Sequence, residues 1–173
     1  MTHNNDVIAA WFGERVAPEW FTGKPDVSVD REEIVVVGDL GPVEGDASSA
    51  GEAEQQAAAD ARIARFREDT RAVRMRIADE AEYRFGRKVA WGATAAGRTI
   101  LFTTISVPVM TRLRQAERRV LDTLVDSGVA RSRSDALAWC VKLVGANESE
   151  WIDRLRESLV HVQKVRAEGP TAG

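Results

Sequence analysis

The sequence predicts an α+β protein, on three observations. Short β-branched runs come in two pairs, residues 27–29 with 33–37 and residues 88–91 with 98–107, each divided by a turn-forming stretch. Between the pairs, Ile63, Phe66, Thr70, Val73, Ile77 and Ala81 recur at spacings of 3, 4, 3, 4 and 4, the period of one helical face. After Pro108 the pattern turns helical. At 173 residues, 44% hydrophobic and 29% charged, the chain can bury the core of one ordinary domain or of two small ones.

Taken in order, residues 6–16 predict a short amphipathic helix with Val7, Ala10, Trp11 and Glu14 marking its two faces, and Pro18 ends it. The polar Asp30-Arg31-Glu32 joins the first strand pair into a hairpin. Its outer strand, Ile34-Val35-Val36-Val37, is continuous in β-branched residues, as expected where both faces are covered. These elements make a segment 1–40 of unknown role. Residues 41–51 collect Gly, Pro, Asp, Ser and Ala and read as a flexible acidic linker. Residues 52–85 contain no Gly or Pro, are rich in Ala, Glu and Arg, and predict one long central helix stopped by Gly86. With the strand that follows, this helix makes the segment 52–98. Residues 92–97 then predict the loop of the second hairpin.

In the last third, Thr111 is a candidate cap, and Leu113, Ala116, Val120, Leu121, Leu124 and Val125 put an apolar face on a helix that Gly128 stops. Ser132 followed by Asp135 has the spacing of a capping box and opens a second helix through Val144, with Gly145 as its stop. That second helix leaves only Lys142 polar from 136 to 144, so it needs cover on more than one side, from a second copy or from residues 1–85. A C-terminal helix with Trp151, Leu155, Leu159 and Val162 on one side completes the segment 146–173.

The run Ile105-Ser106-Val107, a helix, and then Gly128-Val129-Ala130-Arg131-Ser132-Arg133-Ser134-Asp135-Ala136-Leu137 resembles the ribbon-helix-helix family over about residues 99–145, a quarter of the chain. The resemblance implies an obligate homodimer whose strands pair antiparallel in the DNA major groove while the start of the second helix holds phosphate. Carried onto this chain, it makes Thr104 and Ser106 the base-contact candidates. Arg131, Ser132, Arg133 and Ser134 become the phosphate contacts, and Ile105, Val107, Val109, Leu137, Trp139, Cys140, Val141 and Val144 the dimer core. Independently of any family, an unpartnered helix start with two hydroxyls and two guanidinium groups is a competent phosphate clamp, although Ser132 also serves as a plain cap. Two departures stand against DNA. No strand candidate is Arg, Lys, Asn or Gln, and Pro108 reads no base. The strand also follows another directly, so 99–109 pairs within the chain, across a dimer, or divides between the two near Thr104.

Charge is unevenly distributed: net −9 over 1–59, +3 over 60–97, +4 over 98–145 and −1 beyond. A basic middle permits a polyanion, while the acidic N-terminal third competes with it or meets a protein partner. Arg67, Arg71 and Arg74 share a helical face and form a possible phosphate track, against which stand interspersed acids, with Glu68 placed to pair with Arg65 or Arg71. Gly92 to Thr99 comes close to a phosphate-binding loop, but Arg98 replaces its Lys and a strand follows instead of a helix. His3 and His161 have no companions at ligand spacing, Cys140 reads as a small buried hydrophobe, and Trp11, Trp20, Trp91, Trp139 and Trp151 read as core anchors. No catalytic set, metal or cofactor is expected. With one cysteine, no apolar run long enough for a membrane helix and no basic-then-apolar start, the chain reads as cytoplasmic. The expected function is a dimeric DNA-binding regulator or antitoxin-like factor, with an assembly subunit using the same dimer core as the alternative.

Overall fold

The computed structural model describes residues 2–42 and 51–168, so most of the 41–51 linker lies outside the described residues. The chain is α+β and divides into two compact units, Met1–Val107 and Pro108–Gly173. In the first, the element order is α1 (Thr2–Arg15), β1 (Asp26–Val29), β2 (Glu33–Asp39), α2 (Glu52–Asp69), α3 (Arg71–Phe85), β3 (Lys88–Ala95) and β4 (Arg98–Leu101). The second holds α4 (Gln115–Asp126), α5 (Arg133–Asn147) and α6 (Ser149–Glu168). No described helix is long and apolar enough to cross a membrane.

The four strands form one sheet in chain order, antiparallel, parallel and antiparallel. The parallel pair sets Val36 beside Trp91 and Gly38 beside Ala93, so β2 is an inner strand, not the outer strand of a lone hairpin. A parallel pair needs a long crossover, which the α2–α3 segment supplies. Alternation along β2 buries Ile34, Val36 and Gly38 under the helices and leaves Glu33, Val35 and Val37 half-buried. On the same face of β3 lie Trp91, Ala93 and Ala95. Glycine is required at 38, where an added Cβ would sit 2.2 Å from the Phe21 ring.

The face of α1 that the sequence marked is displaced by one residue. Ile8 and Phe12, with Val16 just past the helix, enter the core, whereas Val7 is 53% exposed. Phe12 meets Trp11 and Trp91 edge-on, and Phe66 of α2 lies among Trp20, Phe21 and Phe102. Fully burying a side chain of this size stabilises by roughly 1.5–3 kcal/mol, so these rings dominate the unit's cohesion.

The long central helix is two helices broken at Thr70. The Thr70 hydroxyl donates to the Phe66 carbonyl at 2.6 Å, a back-bond that bends helices. Arg74 locks the bend: its Nε donates to Thr70 Oγ1 at 2.8 Å, its Nη2 donates to the Arg67 carbonyl at 2.5 Å, and its guanidinium lies 4.7 Å from the centre of the Phe102 ring. The apolar stripe itself holds, with Ile63, Thr70, Ile77 and Ala81 buried. Gly86 terminates α3 with φ of 67°.

The second hairpin is tighter than its sequence indicates. Gly92 to Ala95 belong to β3, and the turn is Ala96-Gly97 with φ of 48° and 75°, the two-residue geometry that fits a right-handed sheet twist. The near phosphate-loop motif is therefore mostly strand. Ladder pairing of β4 ends at Leu101, and a last bond runs from Phe102 N–H to the Trp91 carbonyl, so pairing within the chain stops short of the expected 103 or 107.

In the second unit, α4 starts after Arg114 and not after Thr111, which leaves Leu113 outside the helix. Leu121, Ala130 and Ala136 form the centre of a small core, flanked by Leu113, Leu124, Val125, Leu137 and Cys140, and Cys140 is only half-buried. Gly145 lies inside α5, which runs on to Asn147, because a helical glycine costs only about 1 kcal/mol against alanine.

Candidate nucleic-acid interface

The candidate residues fall on three local structures. Thr104, Ile105, Ser106, Val107 and Val109 lie in residues 103–114, which form neither helix nor ladder and cross the boundary between the two units. Thr104 and Ser106 are exposed, as are Thr103 and Val107, and Ile105 among them is half-buried. Val109 is 85% and Met110 97% exposed.

The turn between α4 and α5 follows from glycine chemistry. Gly128, with φ of 76°, donates to the Val125 carbonyl and Val129 donates to the Leu124 carbonyl, each at 3.0 Å. These two bonds satisfy the last carbonyls of α4 and reverse the chain in a Schellman motif. Ser132 then caps α5, its hydroxyl accepting from Asp135 N–H at 3.2 Å. The Asp135 carboxylate reaches back to accept the Arg131 N–H at 3.0 Å, which holds it below the usual aspartate range. The box is thus reciprocal, with its return bond to Arg131 instead of Ser132.

Arg133 makes a two-pronged contact with Asp122 of α4, Nε to Oδ1 at 2.6 Å and Nη2 to Oδ2 at 2.9 Å. The fork lowers the Asp122 pKa and raises that of Arg133, because each hydrogen bond favours the charged form. Of the four phosphate candidates, Ser132 is therefore occupied as a cap and Arg133 as a staple between helices. Ser134 is exposed, and the Arg131 side chain is 95% exposed, with its Nε 3.6 Å from Asp135.

Among the dimer-core candidates on α5, Leu137 and Cys140 pack toward α4. Trp139, Val141 and Val144, joined by Leu143, stand on the outside, Val141 at 66% exposure. One side of α5 is thus covered by its own hairpin and the other is bare. Trp139 and Trp151, read as core anchors, are exposed, unlike Trp91, which is buried.

The sequence model of the Rv1265-like protein N-terminal domain matches residues 6–101, and that of the Mb1296 C-terminal domain matches residues 114–166. The chain belongs to the Rv1265-like family. It is 57% identical over 162 residues to "Uncharacterized protein Rv1265" of Mycobacterium tuberculosis and, at the same identity, to "Uncharacterized protein Mb1296" of Mycobacterium bovis; each alignment covers 94% of this chain and 70% of the relative. No solved structure matches. The two domain matches fall one in each compact unit, and between them lie residues 102–113, the stretch that holds the ribbon candidates.

In this Rv1265-like chain a basic group missed by the residue-by-residue reading flanks that stretch. Arg112, Arg114, Arg118 and Arg119 are all exposed, and of their side chains Arg118 donates to the Leu113 carbonyl at 2.7 Å. The regional charge of +4 was the signal that could have found them, since four of its eight cations fall within eight residues. The Arg67–Arg71–Arg74 track is absent, because Arg74 is buried at the helix bend. Glu68 forms no ion pair with Arg65 or Arg71 among the described residues and instead acts through space on Arg74, while Arg15 pairs with Glu80 at 2.8 Å and Arg98 with Asp60 at 2.6 Å.

Proposed function

We propose that this protein is a non-enzymatic, cytoplasmic, DNA-binding homodimer of ribbon-helix-helix type, a transcription regulator or antitoxin-like factor. One observation carries the reading: residues 103–114, with no ladder partner among the described residues, run directly into a helical hairpin closed by Gly128. A second copy supplies the missing partner strand, and the bare side of α5 supplies apolar area for the same association. Thr104 and Ser106 then meet base edges, while phosphates are held by Arg131, Ser134 and the Arg112–Arg119 group, with Arg133 kept for the α4–α5 staple.

A salt-dependent gel shift with random and genomic fragments tests this. Binding should weaken linearly in log salt, and Arg112→Ala with Arg114→Ala should shallow the slope by about 1 for each phosphate that is no longer neutralised. An intact dimer that binds no DNA at low salt overturns the reading. It would favour an assembly subunit with the same dimer core, for which the engaged Arg133 and the carboxylate of Asp135 at the α5 start already speak. The acidic N-terminal third would then be the surface offered to a protein partner.

A further inference from the structure

Helix α6 spans twenty residues, and none of its described residues is buried. Trp151, Leu155, Leu159, Val162 and Val165 are each between 45% and 56% exposed. A helix gains most of its stability from packing an apolar face, so a bare stripe of this length requires a partner. Its spacing identifies that partner. Ile152, Leu155, Leu159 and Val162 follow one another at 3, 4 and 3, and the series continues to Glu148 four residues before and to Arg166 four residues after. Six consecutive seam positions therefore read acid, four apolar, base.

That order selects one arrangement. Two such helices in parallel put Glu148 against Glu148 and Arg166 against Arg166. In antiparallel register, with the two-fold axis at Glu157, Ile152 faces Val162 and Leu155 faces Leu159. Glu148 then faces Arg166 at both ends, and Trp151 lies near Val165 beside the seam. The helix dipoles also oppose in this arrangement. Glu148 stands at the start of α6, where its carbonyl accepts the Ile152 N–H at 3.0 Å, and the Asp153–Arg156 ion pair is local to the helix. We propose that α6 is a self-association seam, pairing antiparallel with α6 of a second copy of this chain. The seam is separate from the 104–109 ribbon and stands whether or not that ribbon forms.

Disulfide trapping in the full chain tests it, with Cys140→Ser removing the native thiol. Ser158→Cys, next to the axis, should cross-link readily. Ile152→Cys alone should not, because its twin is ten helical positions away, roughly 15 Å, whereas Ile152→Cys combined with Val162→Cys should. Arg166→Glu should slow the Ser158→Cys reaction about fivefold, within reach of an exposed ion pair, and adding Glu148→Arg should restore it. Trapping should persist in Val107→Asp, which disrupts the ribbon. The seam is overturned if Ser158→Cys fails to cross-link while circular dichroism shows intact helix, if Ile152→Cys alone cross-links as well, or if trapping is lost with Val107→Asp.

Discussion

Replacing Phe12 with alanine should destabilise the first unit severely, while replacing Val7 should leave it nearly unchanged. Phe12 is fully buried, its ring 4.9 Å from Trp11 and 5.8 Å from Trp91, both near-perpendicular. Phe-to-Ala in a packed core costs about 3–5 kcal/mol, of which each edge-on ring contact accounts for roughly 0.5–1.5. For a unit of about 100 residues, each kcal/mol lowers the melting temperature by about 4–8 °C, so Phe12→Ala should melt roughly 12–40 °C lower. Against a total stability of about 5–15 kcal/mol, that leaves a marginal fold. Val7, five residues earlier and more than half exposed, should cost no more than about 0.5 kcal/mol as Val7→Ala. Urea denaturation followed by near-ultraviolet circular dichroism measures both, since the rings of Trp11, Trp20 and Trp91 report on this core. Equal costs for the two variants, or a larger one for Val7, would refute the assignment of the buried face of α1.

Three further outcomes follow from local geometry. Gly38→Ala should destabilise by more than about 2 kcal/mol in the same assay, because its Cβ would meet the Phe21 ring at 2.2 Å and β2 is held on both sides. Ala96→Asn should raise stability by about 0.5–1 kcal/mol in thermal melts, since φ of 48° strains alanine while Asn-Gly suits this turn. The Asp122 carboxyl titrates below its ordinary value because of Arg133, so the stability it lends is present above the unfolded value near 4 and is lost as pH falls below it. Hydrogen-exchange protection of α4 and α5, taken relative to the intrinsic amide rate at each pH, should therefore fall on acidification below about pH 4 in the native chain, and less so in Asp122→Asn.

The elements were legible wherever one strong local signal governs them. Gly86 and Gly128 end helices as expected, Ser132 caps α5, and Asp30 turns the first hairpin by accepting the N–H groups of Glu32 and Glu33. What failed to show depends on contacts distant in sequence. The position of β2 inside the sheet is set by β3, which the local pattern of Ile34 to Val37 cannot reveal. The break at Thr70 comes from a hydroxyl bond and from Arg74, whose burial over Phe102 cannot be read from an otherwise polar, helix-favouring stretch. In the candidate site, the cap of Ser132 was readable from spacing, but the diversion of Arg133 to Asp122 was not, because eleven residues and a reversal of the chain separate them. The Arg112–Arg119 group was present in the regional charge and was overlooked for want of a regular spacing.

The parallel pairing of β2 with β3 sets a timetable for synthesis. Asp39 ends one strand and Lys88 begins its neighbour, about 50 residues later. At roughly 5–20 residues per second, a nascent hairpin of β1 and β2 waits about 3–10 s with its inner edge unsatisfied. Ribosomes that pause within α2 or α3 would lengthen that wait, and products truncated before β3 would carry the sticky edge permanently, as natural clients for holdase chaperones or seeds of aggregation.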